Sequence, residues 1–169
     1  MTTSTTTIKQ VLDGYAPPDE ERPLAAYAGL TTTFALSMAA AAAGIRASGK
    51  ELPERPAVFD MVVAGIATHK LSRLLAKDKV TAFLRGPFTR YQESAGHGEV
   101  EEEPRGHGAR YAIGELLVCP YCLAQWIAAG FAVGLVTAPR ATRFVGSIYV
   151  AQTMSDFLQL IYKAAEDRA

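Results

Sequence analysis

The sequence predicts an all-α fold: an integral membrane bundle of about four transmembrane helices, with the N and C termini cytoplasmic. Three observations carry this. Charge-free runs of membrane-spanning length alternate with short stretches that hold nearly all the Lys, Arg, Asp and Glu. The mean hydropathy is +0.08 although 20% of the residues are charged, which fits that segregation. Lys and Arg are also shared unevenly among the connections, and such a bias sets orientation. At 169 residues the chain reads as one domain. A polar, largely disordered tail over 1–23 precedes a helical membrane domain over 24–169.

The tail is Thr/Ser-rich and then carries Pro17, Pro18, Asp19, Glu20 and Glu21, with a turn of helix expected at Ile8–Leu12. The first helix is expected over about 24–45. Leu24 to Ile45 carries no charge, Arg22 and Arg46 bracket it, and about 20 apolar residues cross the roughly 30 Å hydrocarbon core. Gly29, Thr33, Ser37 and Ala41 recur every fourth residue, a small-residue face suited to close packing. A buried helix of a soluble core and a cleaved signal peptide compete with this reading, the latter against an acidic leader. The second helix is expected over 57–75, apolar apart from Asp60 until His69, Lys70 and Arg73. A helix lying along the interface is its alternative.

Residues 76–112 form the longest polar connection. Asp78 to Tyr91 mixes Val80, Phe83, Leu84 and Phe88 with basic residues, an amphipathic stretch for the membrane surface. Ser94 to Gly108 reads as a flexible loop. The third helix is expected over 113–138 and holds the GxxxG pair Gly130 and Gly134; Pro139 and Arg140 stop it. The fourth spans 144–162, where Tyr149, Gln152, Asp156, Gln159 and Lys163 share a face that should turn inward. The 76–112 connection holds six basic residues, so it should stay in the cytoplasm, giving ten basic residues inside against five outside. The expected location is the inner membrane, multi-pass.

Seventeen basic and seventeen acidic residues cancel, so no charge excess draws nucleic acid, and none is expected as a partner. The expected partners are the lipid bilayer and, through Gly130 and Gly134, a second copy of the chain. Only two cysteines occur, in Cys119-Pro-Tyr-Cys122, too few for a secreted disulfide scaffold. Pro120 suits the first position of a helix, which makes Cys119 the cap and puts Cys122 in the first turn. The helix dipole and free N–H groups there favour a thiolate. The pair is therefore a redox candidate. It is also half of a metal site, which would need two further ligands such as His97 and His107 or a second subunit. Read as one helix, Glu115, Cys119, Cys122 and Trp126 share a face. With Lys70, Arg73, Glu115 and Asp156 at one depth, a polar cluster is expected, with Asp156 and Glu115 paired to Arg73 or Lys70. Such pairs serve equally well as a structural device that fixes helix register. The residues name no cofactor.

Thr68-His-Lys-Leu-Ser-Arg-Leu-Leu through Asp78-Lys-Val-Thr and Arg85-Gly-Pro-Phe, Gly114-Glu-Leu-Leu-Val-Cys-Pro-Tyr-Cys-Leu with Trp126, and Ser155-Asp-Phe-Leu together resemble the bacterial domain-of-unknown-function 1360 family. The resemblance covers about residues 57–163. It implies a multi-helix bacterial membrane protein whose pattern includes the arginine, the glutamate, both cysteines and the last aspartate. It implies no activity, substrate or cofactor. Two functions follow as expectations: a non-catalytic accessory or structural membrane component, or a thiol–disulfide redox protein using Cys119 and Cys122. A metal-binding module is a third.

Overall fold

Pro23 lacks the N–H that a preceding turn would need, and it opens α1, Leu24–Ala47, a helix of 24 residues ending beside Arg46. The computed structural model describes residues 15–17 and 22–168. The turn expected at Ile8–Leu12 lies outside them. The remaining helices are α2 (Val58–Lys77), α3 (Ala82–Arg85, entered through a 3₁₀ turn at Lys79–Thr81), α4 (Ala109–Val118), α5 (Pro120–Thr137) and α6 (Pro139–Glu166). Between α3 and α4 lies an antiparallel hairpin, β1 (Thr89–Gly96) and β2 (Glu99–Pro104).

Two helices, Leu24–Ala47 and Pro120–Thr137, are long and apolar enough to cross a membrane by length and composition. Helices α2 and α6 exceed the required length, at 20 and 28 residues, and carry interior charges. The architecture is thus mostly helical, with a small sheet that the all-α expectation lacked.

Three boundaries differ from the sequence reading, each for a local reason. The expected helix 113–138 is two helices. Cys119 is extended, at φ −102° and ψ 102°, because a proline ring disfavours α geometry in the residue before it. Pro139 does not stop a helix but starts one: it occupies the first turn of α6, directly after Ala138. At this turn Thr142 packs against the bare backbone of Gly134, where a Cβ would stand 2.6 Å from the Thr142 hydroxyl oxygen. Finally, the stretch read as a flexible loop is the hairpin. Its turn, His97-Gly98, has positive φ at both positions, the geometry that suits two-residue hairpins. Its strands are mostly exposed, Thr89 and Val100 being buried, so no apolar alternation marked them.

Helix α2 is the centre of the bundle and makes its most extensive helix contacts with α5 and α6. Its buried residues Ala67, Thr68, Ser72 and Ala76 are all small, which lets the helices approach closely. The matching positions on α6 are Gly146 and Thr153; a Cβ on Gly146 would lie 2.7 Å from a Val63 methyl. The inward face of α6 is therefore set by Gly146 and Thr153. Tyr149 and Asp156 of the expected polar stripe are half-buried beside it, whereas Gln152, Gln159 and Lys163 are exposed.

Candidate functional site

At the α4–α5 junction, Cys119 caps α5, and the Cys122 N–H donates to the Cys119 sulfur at 3.1 Å. Cys119 and Cys122 are 5.3 Å apart at Cα, with their sulfurs within disulfide-bonding distance. The extended backbone at Cys119 and the helical turn that follows bring this about. Cys119 is half-buried and Cys122 exposed, and between them Tyr121 projects with 89% of its surface accessible.

Cys122 lines a cleft of about 700 Å³ between α1, α4 and α5, together with Tyr27, Leu30, Phe34, Glu115 and Trp126. Phe34 and Trp126 meet edge to face, with ring centroids 5.1 Å apart. Glu115 accepts from the Arg22 guanidinium at 3.0 Å and from the Tyr27 hydroxyl. This network joins α1 to α4. Glu115, Cys122 and Trp126 thus face one space even though the helix breaks between them, and Cys119 does not line it.

The four residues expected to form one polar cluster are divided. Lys70 and Asp156 pair at 2.6 Å between α2 and α6. Arg73 turns to the hairpin and grips Glu99 through two bonds of 2.7 Å. Glu115 belongs to the α1 side. A second cleft, of about 1200 Å³, runs between the C-terminal halves of α2 and α6 and the hairpin tip, and it holds the Lys70 and Arg73 pairs.

Sequence reasoning missed the most buried polar group. Arg85 is fully buried, and its guanidinium donates to Glu102 (2.5 Å), the Leu75 carbonyl (2.7 Å), the Thr81 hydroxyl (2.8 Å) and the Asp78 carbonyl (3.0 Å). Asp78 meanwhile accepts from the Val80 N–H. Asp78, Thr81 and Arg85 form one device that turns the chain at the end of α2 and fastens β2. With Arg73–Glu99 and Lys77–Glu101 (2.7 Å), it locks the acidic strand Glu99–Glu103 onto basic groups of α2 and α3. The signal was present as Arg73 and Lys77, spaced four apart on a helix, followed by a run of glutamates. At the other end of α2, Arg143 holds Asp60 through bonds of 2.8 and 2.7 Å.

Among the described residues no group of three His, Cys, Asp or Glu is placed to hold a metal ion. His97 sits at the hairpin turn, and His107 precedes α4. Of the GxxxG pair, Gly134 is occupied inside the chain by Thr142, whereas Gly130 faces open space.

Comparison with known proteins places this geometry. Residues 63–162 match the model of a family described as protein of unknown function, DUF1360. The sporulation protein YjcA of Bacillus subtilis (strain 168) is 32% identical over 88 residues, covering 50% of this chain and 75% of that protein. No solved structure matches. The matched segment begins within α2 and runs nearly to the end of α6, so it contains the hairpin, the Arg85 device and the cysteine pair and leaves out α1. The chain belongs to the DUF1360 family.

Proposed function

We propose that this is a four-span protein of the bacterial inner membrane, a non-catalytic accessory or structural component. In this reading α1, α2, α5 and α6 cross the bilayer, and the hairpin, α3 and α4 form a charge-locked cap on the cytoplasmic side. The observation that carries it is the inside-out distribution of side chains on α2 and α6. Val58, Phe59, Met61 and Val62 of α2, and Phe144, Ile148, Phe157 and Ile161 of α6, are exposed, while the Asp60 and Lys70 charges are paired to Arg143 and Asp156. Lipid favours that arrangement and water does not. Val80 and Phe83, 75% and 76% exposed, stand beside the exposed Lys79, as in a segment resting on headgroups. The six Lys and Arg of the 76–112 connection, more than either other connection holds, support its cytoplasmic placement.

Fractionation tests the membrane reading: the protein should pellet with membranes and resist extraction by alkaline carbonate. Recovery in the soluble fraction overturns it. Sidedness is read with a membrane-impermeant maleimide on a His97→Cys, Cys119→Ser, Cys122→Ser variant, which should label only after the cells are opened. Labelling of intact spheroplasts reverses the orientation.

A second reading, thiol–disulfide exchange at Cys119 and Cys122, is favoured by their sulfurs lying within bonding distance at the start of α5. Trapping the thiol state in cells with acid and alkylating agent tests it. A pair always found reduced, and inert to added disulfides in the purified protein, removes this reading.

A further inference from the structure

We propose that the cleft between α1, α4 and α5 binds a lipid-soluble planar electron acceptor of the quinone type, which oxidises the Cys119–Cys122 dithiol. The inference rests on the thiol–disulfide reading above and names the oxidant it lacks.

The cleft joins three features that need not coincide. One wall presents a redox-capable group, since Cys122 lines it and Cys119 is within bonding distance. The remaining lining is mostly apolar, with Tyr27, Leu30 and Phe34 from α1, Leu116 from α4 and Trp126 from α5, and it carries the Arg22–Glu115 ion pair at one place. Because Phe34 and Trp126 meet edge to face, ring surface is left for a planar ligand to stack upon. The volume, about 700 Å³, is that of a small-molecule site. Gln125 brings an exposed amide to the same lining, and its NH₂ donates to a carbonyl oxygen.

The chemistry of these walls selects the ligand. An acceptor for a dithiol must take two electrons. An apolar, aromatic cleft bounded by α1, a helix with the composition of a membrane span, admits a neutral ring carried on an apolar chain and arriving from lipid. Nucleotide-bearing acceptors need phosphate recognition, and the Arg22 guanidinium at this cleft is already engaged by Glu115. The balance closes without another reactant. Both thiols lose a proton and an electron, a sulfur–sulfur bond forms, and the two protons and two electrons reduce the quinone carbonyls to the hydroxyls of a quinol. Thiol exchange with a reduced dithiol substrate then regenerates Cys119 and Cys122 for a further turn.

Trp126 is the sole tryptophan and lines the cleft, so its emission reports occupancy separately from thiol chemistry. The test uses the full chain in detergent, reduced and freed of reductant, titrated with a short-chain ubiquinone or menaquinone. The expected result is saturable quenching of Trp126, with loss of both thiols and release of one quinol per protein. The Cys119→Ser, Cys122→Ser variant should keep the quenching and lose the quinol. Thr31→Phe, which fills the cleft from α1, should weaken the quenching about tenfold while the thiols still react with diamide. Linear, unsaturable quenching that Thr31→Phe leaves unchanged overturns the site. Oxidation by diamide without oxidation by quinone overturns the acceptor and leaves the thiol reading standing. Inertness to both reagents removes that reading as well.

Discussion

The two sides of the bundle are held together by different means. On the α2–α6 side, small residues bring the helices close, and ion pairs close both ends: Asp60–Arg143 at one, Lys70–Asp156 and the hairpin lock at the other. On the α1 side the attachments include the Arg22–Glu115–Tyr27 network, an aromatic contact and a bond from Lys50 to the Thr137 carbonyl. Ile45 is the one buried residue of α1. The family match begins at Val63, within α2, and takes in most of the first side while omitting α1. Helix α1 closes the wall of the cysteine cleft from outside the matched segment. Breaking contacts on the first side should unfold the protein; breaking them on the second should open the cleft.

The largest effect is expected at Arg85. Its guanidinium and the Glu102 carboxylate are 1% and 5% exposed, so Arg85→Met leaves a buried charge without its partner. Such losses run to about 3–5 kcal/mol. Thermal unfolding in detergent should show it, with earlier proteolysis of the hairpin. The double variant Arg85→Met, Glu102→Leu should recover part of the loss, because it removes both charges. A single variant as stable as the native protein shows that the hairpin is held by other contacts.

Next come two glycines chosen for close approach. A Cβ on Gly114 would stand 2.6 Å from the Phe88 carbonyl oxygen and 3.1 Å from the Pro104 Cα, both backbone atoms. Gly114→Ala must push the hairpin off α4, at about 1–3 kcal/mol. The obstacle at Gly146 is a Val63 methyl, which can turn aside, so Gly146→Ala should cost about 1 kcal/mol. Parallel denaturation curves rank the two. The reverse order places the tighter constraint between α2 and α6.

The same contrast governs what could be read from sequence. Length and charge exclusion located α1 and α5, since an apolar run of that size has few other solutions, whereas α2 and α6 were read from apolar stretches that carry interior charges. The break at Cys119 was legible in Pro120 and its effect on the residue before it. The hairpin was not, because its strands gain little from burial. They are mostly polar and are held by Arg73 and Lys77 from α2 and by Arg85 from α3, partners distant in sequence that only the fold brings together. Equal depth suggested a joint cluster for Glu115 and Arg73, but depth does not fix azimuth. Glu115 points toward α1 and Arg73 toward the hairpin. Asp78, Thr81 and Arg85 were visible in the sequence only as parts of a family resemblance, and their convergence on one turn shows what they do there.

The smallest effect in stability is expected at Glu115, and it is the most informative about the cleft. Arg22 and Glu115 keep 38% and 26% of their side-chain surface exposed, and exposed pairs contribute about 0.2–1 kcal/mol. Glu115→Ala should therefore hardly move the unfolding midpoint. It removes, however, the acceptor that ties both Arg22 and Tyr27 of the α1 side to α4. With Cys119 and Cys122 replaced by serine, cysteines placed at Leu30 and Leu116, which both line the cleft, should be bridged by a short bismaleimide. The same pair should crosslink more slowly once Glu115 is alanine. Equal crosslinking would mean that the Phe34–Trp126 contact and the loop-side bond of Lys50 hold α1 by themselves. The cleft would then be a fixed wall whose shape does not depend on the Glu115 network.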